Sequence, residues 1–130
     1  MNRKRKKLKK LLKNAYAPYS KHPVASLVIT KDNKVFGGVN VENVLNGASI
    51  CAERNAINRA VAKGYEKGDF KEMYVMAATN KLIFPCYFCR QVITEFFEME
   101  AKLHLVTETE IKTYTMKDII VHPFTSDDIK

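Results

Sequence analysis

The chain has 130 residues, of which 46% are hydrophobic, and it contains no tryptophan. This length suits one domain with its own core, so we expect residues 1–130 to form a single domain. The formal net charge of +8 is local, because eight of the 22 Lys and Arg residues lie in residues 1–13, which hold no Asp or Glu. The other 14 basic residues balance the 14 acidic ones, so the excess charge belongs to an N-terminal arm.

Hydropathy and cysteine number exclude two classes of protein. No run approaches the ~18 apolar residues of a membrane span. The basic N-terminus is not followed by the apolar stretch of a secretory signal. Three cysteines cannot all pair with one another, which argues against a secreted disulfide scaffold. We therefore expect a cytoplasmic protein with no membrane partner.

The first half of the chain predicts a helix, a hairpin and a second helix. A helix over about 4–17 is predicted by the helical spacing of Leu8, Leu11, Leu12 and Ala15, and it should end near Pro18. "VASLVIT" and "KVFGGVNV" predict two strands around the turn "KDN", a hairpin at about 24–40. Ser49 is the predicted N-cap of a helix over about 50–64.

The second half alternates strands and helices. "EMYVMAAT" is a continuous apolar run, typical of a strand covered on both faces. Residues 86–98 predict a helix that Pro85 precedes, where a missing N–H costs nothing. "KLHLVT" predicts another strand, followed by a short strand near 112–114 and a helical turn near 116–120. This order predicts an α/β fold, a three-layer sandwich with a mixed sheet of about five strands between helices.

All three cysteines lie at predicted helix starts. Cys86 and Cys89 are spaced i, i+3, so both thiols can lie on one side of the first turn. Cys51 and Glu53 are two residues apart and would diverge in mid-helix, but at a helix N-terminus both can reach a site beyond the helix end. Two such N-termini meeting would gather three thiolates around one cation, with helix dipoles offsetting their charge.

Three thiolates suit zinc and leave a fourth position open for water. A closed structural site needs a fourth ligand, and His22, His104 and His122 are isolated in the sequence. Cys-x-x-Cys alone fits a redox pair or a structural half-site equally well. Cys-Ala-Glu opening one helix and Pro-Cys-x-x-Cys opening the next is more specific, and it is the pattern of zinc deaminases. The motifs therefore predict a catalytic zinc site.

The motifs "NVEN" (40–43), "CAERNA" (51–56) and "PCYFCRQVITEF" (85–96) carry a family resemblance. The chain resembles the small homotetrameric cytidine deaminases along nearly its entire length, from "AYAPYSKHPV" to "HPFTSDDI". The resemblance implies the cytidine deaminase-like fold and hydrolytic deamination of cytidine and deoxycytidine, with release of ammonia, in pyrimidine salvage.

The resemblance also implies roles for the residues of the zinc motifs. Cys51, Cys86 and Cys89 would bind one Zn²⁺ per chain, and Glu53 would carry protons. Arg54 would hydrogen-bond the ligand sulfurs. Zinc with three thiolates has a net negative charge and is a weak Lewis acid, so a positive neighbour restores its ability to ionise water.

Substrate contacts are implied in the same way. Asn40 and Glu42 share one face of a strand end and in the family hold the ribose, although "NVEN" alone is only a polar exit from a strand. The Glu42 carboxylate would repel a phosphate, which favours nucleosides over nucleotides. Backbone groups around Ala52 and Cys86 would hold the base edge.

Two aromatic positions bear on assembly and affinity. Phe124 is most simply a packing residue of its own subunit, but the matching phenylalanine of the family covers the base in a neighbouring subunit's active site. The resemblance thus implies a tetramer with shared sites and dihedral symmetry. His22 stands where the family has a phenylalanine that lines the nucleoside. Tyr87 and Phe88 replace small residues, and Asn46 replaces a frequent aromatic residue.

Other functions remain open on the sequence. A deaminase of a related aminonucleoside or of nucleic-acid bases is one alternative, and a noncatalytic zinc-stabilised module that binds nucleic acid through residues 3–13 is another. Nucleic acid is an unlikely partner, because base deaminases mostly use histidine as the first ligand where Cys51 stands. A noncatalytic module has no need of Glu53. The basic arm is more simply a solvated helix face.

Overall fold

The computed structural model describes residues 2–130 and is built on one five-stranded sheet. Helices and strands follow one another along the chain in the predicted order. The helices are α1 (Asn2–Leu12), α2 (Ala52–Ala62), α3 (Tyr87–Phe96) and α4 (Met116–Ile119). The strands are β1 (Val24–Thr30), β2 (Val35–Val39), β3 (Phe70–Ala77), β4 (Phe97–Val106) and β5 (Ile111–Thr115). None of these helices is long and apolar enough to cross a membrane.

The sheet has the strand order β2-β1-β3-β4-β5 and is mixed, as predicted. β1 is antiparallel to both β2 and β3, β3 is parallel to β4, and β4 is antiparallel to β5. The parallel pair forms because α3 crosses over between β3 and β4, and a parallel pair needs such a crossover. Residues 73–77 of β3 are all buried, which confirms a central strand covered on both faces.

Helices cover the two faces of the sheet and complete the predicted three layers. On one face α1 inserts Leu8, which is fully buried, against alternate residues of β1 and β3: Ala25, Leu27, Ile29, Tyr74 and Met76. The opposite face carries the larger core, to which α2 contributes Ala56 and Ile57, α3 contributes Ile93 and α4 contributes Met116.

Two helix predictions were wrong in detail. α1 ends at Leu12 rather than near 17, because Tyr16 pairs its backbone with the end of the hairpin: its N–H donates to the Asn40 carbonyl at 3.0 Å. Ser49 does not cap α2. A backbone bridge between Val41 and Ile50 keeps the chain extended there, and Cys51 is the N-cap instead.

β4 is longer than the predicted strand "KLHLVT". It begins at Phe97, directly after α3, where Phe97 pairs with Phe70 across a shift in register. Phe97 and Ala101 are buried in the larger core, so burial fixes the early part of the strand. The sequence there, "FEME", alternates apolar and acidic residues and continues the helical run without a turn signal.

Candidate active site

The N-termini of α2 and α3 meet on one side of the sheet and bring the three cysteines together. Cys51 is the N-cap of α2 and Cys86 is the N-cap of α3, both with extended backbone. The Cys51 and Cys86 sulfurs are 3.7 Å apart, and those of Cys86 and Cys89 are 3.5 Å apart. All three Sγ atoms lie within 4.8 Å of one another.

This spacing fits one zinc ion. Zn–S bonds of about 2.3 Å in a tetrahedral site place sulfurs roughly 3.8 Å apart, close to the separations found here. Among residues 2–130, no His, Asp or Glu ligand atom joins the group. Three thiolates therefore form an open donor set, which is typical of a catalytic rather than a structural zinc site.

The three thiols do not share negative charge equally. A hydrogen bond from the Cys89 thiol, together with a smaller contribution from Arg54, lowers the pKa of Cys51 to about 5 despite partial burial. The same contact and burial raise the pKa of Cys89. The Arg54 guanidinium donates from Nη2 to the Cys51 sulfur at 3.6 Å. Its Nε is buried and has no hydrogen-bond partner in the described part of the chain. Arg54 thus places positive charge against the Cys51 sulfur.

Glu53 lies in the first turn of α2 and is only 4% exposed. Burial raises the pKa of its carboxyl to about 7, and negative charge on Cys51 adds to the effect. A carboxyl whose pKa lies near neutrality can both accept and deliver a proton under ordinary conditions. Because its oxygens do not join the three sulfurs as possible ligands, the carboxyl is available for proton transfer.

Close packing on a glycine sets the position of α2. A Cβ atom on Gly38 of β2 would lie 2.4 Å from the Ala56 nitrogen and 2.5 Å from the Ala52 oxygen. Both are backbone atoms that cannot move without moving the helix. The Asn55 side chain adds a hydrogen bond at 2.8 Å to the Val39 carbonyl of the same strand. The helix that carries Cys51 and Glu53 is therefore fixed against the hairpin.

Asn40 and Glu42 follow β2 and hold the loop before β1. Asn40 accepts a hydrogen bond from the Val24 N–H at 2.9 Å and donates to the His22 carbonyl at 3.0 Å. Glu42 Oε1 accepts from two consecutive backbone N–H groups, each at 3.0 Å, and Oε2 accepts from the Ser20 hydroxyl. These bonds lower the pKa of Glu42, with the Ser20 hydroxyl as the main cause.

The remaining predicted site residues differ in their surroundings. Ala52 is buried as the first residue of α2, so its backbone N–H has no acceptor within the helix. His22 is exposed, and its backbone rather than its ring makes the hydrogen bonds of the loop. Phe124 is 58% exposed and lies in the segment after α4. Within this one chain, Phe124 and the His22 ring are not packed into the cysteine cluster.

Sequence comparison decides the family. The model of the cytidine and deoxycytidylate deaminase zinc-binding region matches residues 2–104. The chain belongs to this deaminase family.

Individual deaminases of the family cover most of the chain. Cytidine deaminase from Sporosarcina psychrophila is 34% identical over 122 residues, 93% of this chain and 88% of the relative. Cytidine deaminase from Mycoplasma genitalium is 34% identical over 120 residues, 92% and 91% of the two chains. The crystal structure of cytidine deaminase from Burkholderia pseudomallei has a TM-score of 0.86 at 36% identity and covers 92% of this chain and 94% of that one.

The deaminase fold depends on several residues that the sequence motifs did not single out. Gly38 is one, although glycine inside a strand is a known signal of close backbone approach. Ser20, which bonds Glu42, is another. Arg90 is a third, and it donates hydrogen bonds to the Pro85 and Ile119 backbone carbonyls at 2.8 and 2.9 Å. Gln91, its neighbour, bonds the Phe124 carbonyl.

Proposed function

We propose that this protein deaminates free cytidine and deoxycytidine hydrolytically, with one zinc ion per chain and release of ammonia. One observation carries the proposal: three cysteine sulfurs within 4.8 Å of one another stand at two helix N-termini beside a buried glutamate. A structural zinc site has no use for that carboxyl. A hydrolytic site does, because water must lose protons and the leaving amine must gain them.

Cys51, Cys86 and Cys89 would hold the zinc, which when bound would act as a Lewis acid and lower the pKa of a water molecule to near neutrality. Glu53 then moves the protons. Its carboxylate accepts one from the attacking water and delivers it to N3 of the pyrimidine while the C4–O bond forms. Glu53 next accepts the remaining proton from the new C4 hydroxyl and transfers it to the exocyclic amino group, which leaves as ammonia as the C4–N bond breaks and the C4 carbonyl forms. A pKa of about 7 suits a group that both accepts and donates during one turnover.

Neighbouring groups support that chemistry. Arg54 offsets the negative charge of the thiolates through its contact with the Cys51 sulfur. The backbone N–H groups at the start of α2 and α3, at Ala52 and Cys86, hold the polar edge of the base. They are free to do so because the first N–H groups of a helix have no acceptors within it.

Hydrogen-bond capacity at Asn40 and Glu42 matches one sugar hydroxyl. A carboxylate has about four acceptor sites, and three on Glu42 are taken by Tyr19 and Ser20, which leaves one. The Asn40 amide uses one of its two N–H groups on the His22 carbonyl, which leaves one donor. A single hydroxyl both donates and accepts, so the pair holds one hydroxyl. Recognition of one hydroxyl lets cytidine and deoxycytidine both react.

The catalytic unit is a homotetramer in which Phe124 covers the base in a neighbouring subunit's site. In support, large apolar side chains are exposed near the helix starts, in the 41–50 loop and after α4: Val44, Leu45, Tyr87, Phe88, Val121 and Phe124. So much exposed apolar surface on a small chain is typical of a surface that other subunits cover. Deamination of free nucleosides is a reaction of pyrimidine salvage, for which a cytoplasmic location is expected.

The alternatives find no support in the described contacts. The basic arm is not free, because α1 buries Leu8, donates from Arg5 Nε to the Thr107 carbonyl at 2.8 Å and pairs Lys9 with Glu108. Neither deamination of nucleic-acid bases nor that of an aminonucleoside antibiotic is favoured by a specific observation. A noncatalytic zinc module leaves the buried Glu53 unexplained.

Incubation of purified, zinc-loaded protein with cytidine tests the proposal. We expect loss of the cytosine absorbance together with equimolar release of ammonia, from cytidine and deoxycytidine alike. CMP is the matched control and should react poorly, because its phosphate lies near the Glu42 charge. A Glu42→Gln protein should bind both nucleosides more weakly. Absence of ammonia from either nucleoside, with zinc shown to be bound, would refute the assignment.

A further inference from the structure

Few hydrogen bonds join residues 121–130, the chain after α4, to the rest of the fold. Residues 121–124 are exposed, and His122 has a left-handed backbone with φ of 51°. In the part of the chain that the structure describes, one hydrogen bond joins residues 121–130 to the remainder: Gln91 Nε2 donates to the Phe124 carbonyl at 2.9 Å. The position of Phe124 therefore depends on a side chain of α3.

The preceding residue, Arg90, anchors the start of the same segment. Its Nη1 donates to the Ile119 carbonyl, at the last residue of α4, at 2.9 Å. Its Nε donates to the Pro85 carbonyl, directly before Cys86, at 2.8 Å. The guanidinium lies over the Tyr87 ring, 4.7 Å from its centre. The single side chain of Arg90 thus links the loop before Cys86 to the start of the C-terminal segment.

We propose that Arg90 and Gln91 are positioning residues that present Phe124 to the neighbouring subunit's active site. Gln91 fixes the backbone at Phe124 itself. Arg90 fixes the end of α4 relative to the Cys86 loop. The Phe124 ring that covers one active site is therefore held in place by the metal-ligand loop of the neighbouring subunit, to which that ring belongs. The inference rests on the proposed function, in which Phe124 covers a base bound by another subunit.

The two residues should have separable effects. Loss of Gln91 removes a hydrogen bond to the Phe124 carbonyl and no contact with a sulfur, so zinc content should stay at wild-type level. KM for cytidine should rise about two- to tenfold, the worth of one hydrogen bond, while kcat changes by less than about twofold. Arg90→Lys keeps the charge but loses the planar fork that reaches two carbonyls. It should raise KM similarly and, through the Cys86 loop, speed zinc loss to a chelator.

Glu95→Ala is the matched control. Glu95 is exposed on the same helix, one turn from Gln91, and should leave KM, kcat and zinc retention unchanged. Melting curves of all variants distinguish a positioning effect from loss of fold. An unchanged KM in a folded Gln91→Ala protein would overturn the role of Gln91.

Mixed oligomers test whether the effect passes between subunits. Gln91→Ala subunits are assembled with a large excess of Glu53→Gln subunits carrying a different affinity tag, and mixed particles are purified through both tags. Only the Gln91→Ala subunits can turn over, but their neighbours carry an intact Gln91 and a correctly placed Phe124. We expect KM to return to the wild-type value.

Each result has a distinct meaning. If KM in the mixed particles stays raised, Gln91 acts within its own subunit and the inference is wrong. If wild-type protein itself releases no ammonia from cytidine, the proposed function has failed instead. A wild-type KM in the mixed particles, with a raised KM in Gln91→Ala alone, supports both.

Discussion

The two sides of the candidate site are built very differently. The inner side holds Cys51, Cys89 and Glu53, which are buried or half-buried at rigid helix starts. The proposed outer side consists of the His22 ring and Phe124, which are exposed and lie on segments without regular structure. In the proposed function, the chemistry is therefore assembled within one chain, whereas the cover over the substrate comes from a neighbouring subunit.

This difference follows from what each part must do. Metal ligands and a buried carboxyl need fixed positions, which helix N-termini and close backbone packing supply. A cover must admit substrate and release product, and a segment held by one or two hydrogen bonds can open at small cost. Changes on the inner side should therefore remove activity or fold, and changes on the outer side should alter affinity.

Cys86→Ala should have the largest effect. It removes one of three thiolates, so zinc should be lost together with all cytidine turnover and much of the fold, because metal binding and folding are coupled. Metal analysis and circular dichroism check this. Tyr87→Ala, at the adjacent exposed position, should retain zinc. A zinc-replete, folded Cys86→Ala protein would show that the metal lies elsewhere.

Phe124→Ala should assemble normally and bind cytidine more weakly. Stacking of an aromatic ring on a base is worth about 1–3 kcal/mol, which corresponds to a rise in KM of about 5- to 150-fold. Sedimentation of the variant and steady-state kinetics check the two parts. Unchanged KM and kcat in an assembled variant would make Phe124 a packing residue only. A fully active wild-type monomer would refute the shared site.

Gly38→Ala should destabilise the packing of α2 against β2 and thereby displace the helix that carries the inner side of the site. The added Cβ must push α2 away from β2, and overpacking of this kind costs about 1–3 kcal/mol. The displaced helix carries Glu53, so kcat should fall with the free energy of unfolding. Gly47→Ala is the control, because its Cβ would meet no atom within 4 Å. Equal unfolding midpoints in urea for both variants would contradict the tight packing.

The smallest expected effect concerns pH and the loop held by Glu42. The pKa of Glu42 is lowered from its ordinary value of 4.5 by the Ser20 hydroxyl. The stability that the Glu42 carboxylate contributes is therefore fully present above pH 4.5 and is lost as the pH falls through the lower pKa of Glu42 in the folded state. The melting temperature of wild type should exceed that of Glu42→Gln near neutral pH, and the difference should shrink in acid. A Glu95→Gln protein should match wild type throughout, and a pH-independent gap for Glu42→Gln would contradict the account.

Much of the fold could be predicted because local pattern and tertiary structure agree. The apolar pattern of each element matches the face that it buries in the fold. This holds for the leucine period of α1, for the hairpin and for the buried strand around Met73. The end of α1 could not be predicted, because Tyr16 leaves the helix to pair with a loop distant in sequence. Ser49 looks like a cap locally, but the bridge at Ile50 holds it extended.

The site shows the same division. Cysteine spacing predicts which sulfurs can meet, and they do meet. Contacts that depend on long-range geometry left no pattern in the sequence. Arg90 reaches Ile119 and Gln91 reaches Phe124 across about thirty residues, and neither bond follows from spacing.

The central claim is that Glu53 carries protons for deamination beside a zinc ion held by three cysteines. The most direct test compares cytidine turnover by zinc-loaded wild type and Glu53→Gln protein, with zinc content and melting temperature measured on the same samples. The amide keeps the size of the side chain and touches no ligand, so zinc and fold should be retained. Turnover should fall by ~10⁴-fold, the upper end for a general acid/base group. Near-normal ammonia release from a folded, zinc-replete Glu53→Gln protein would contradict the account.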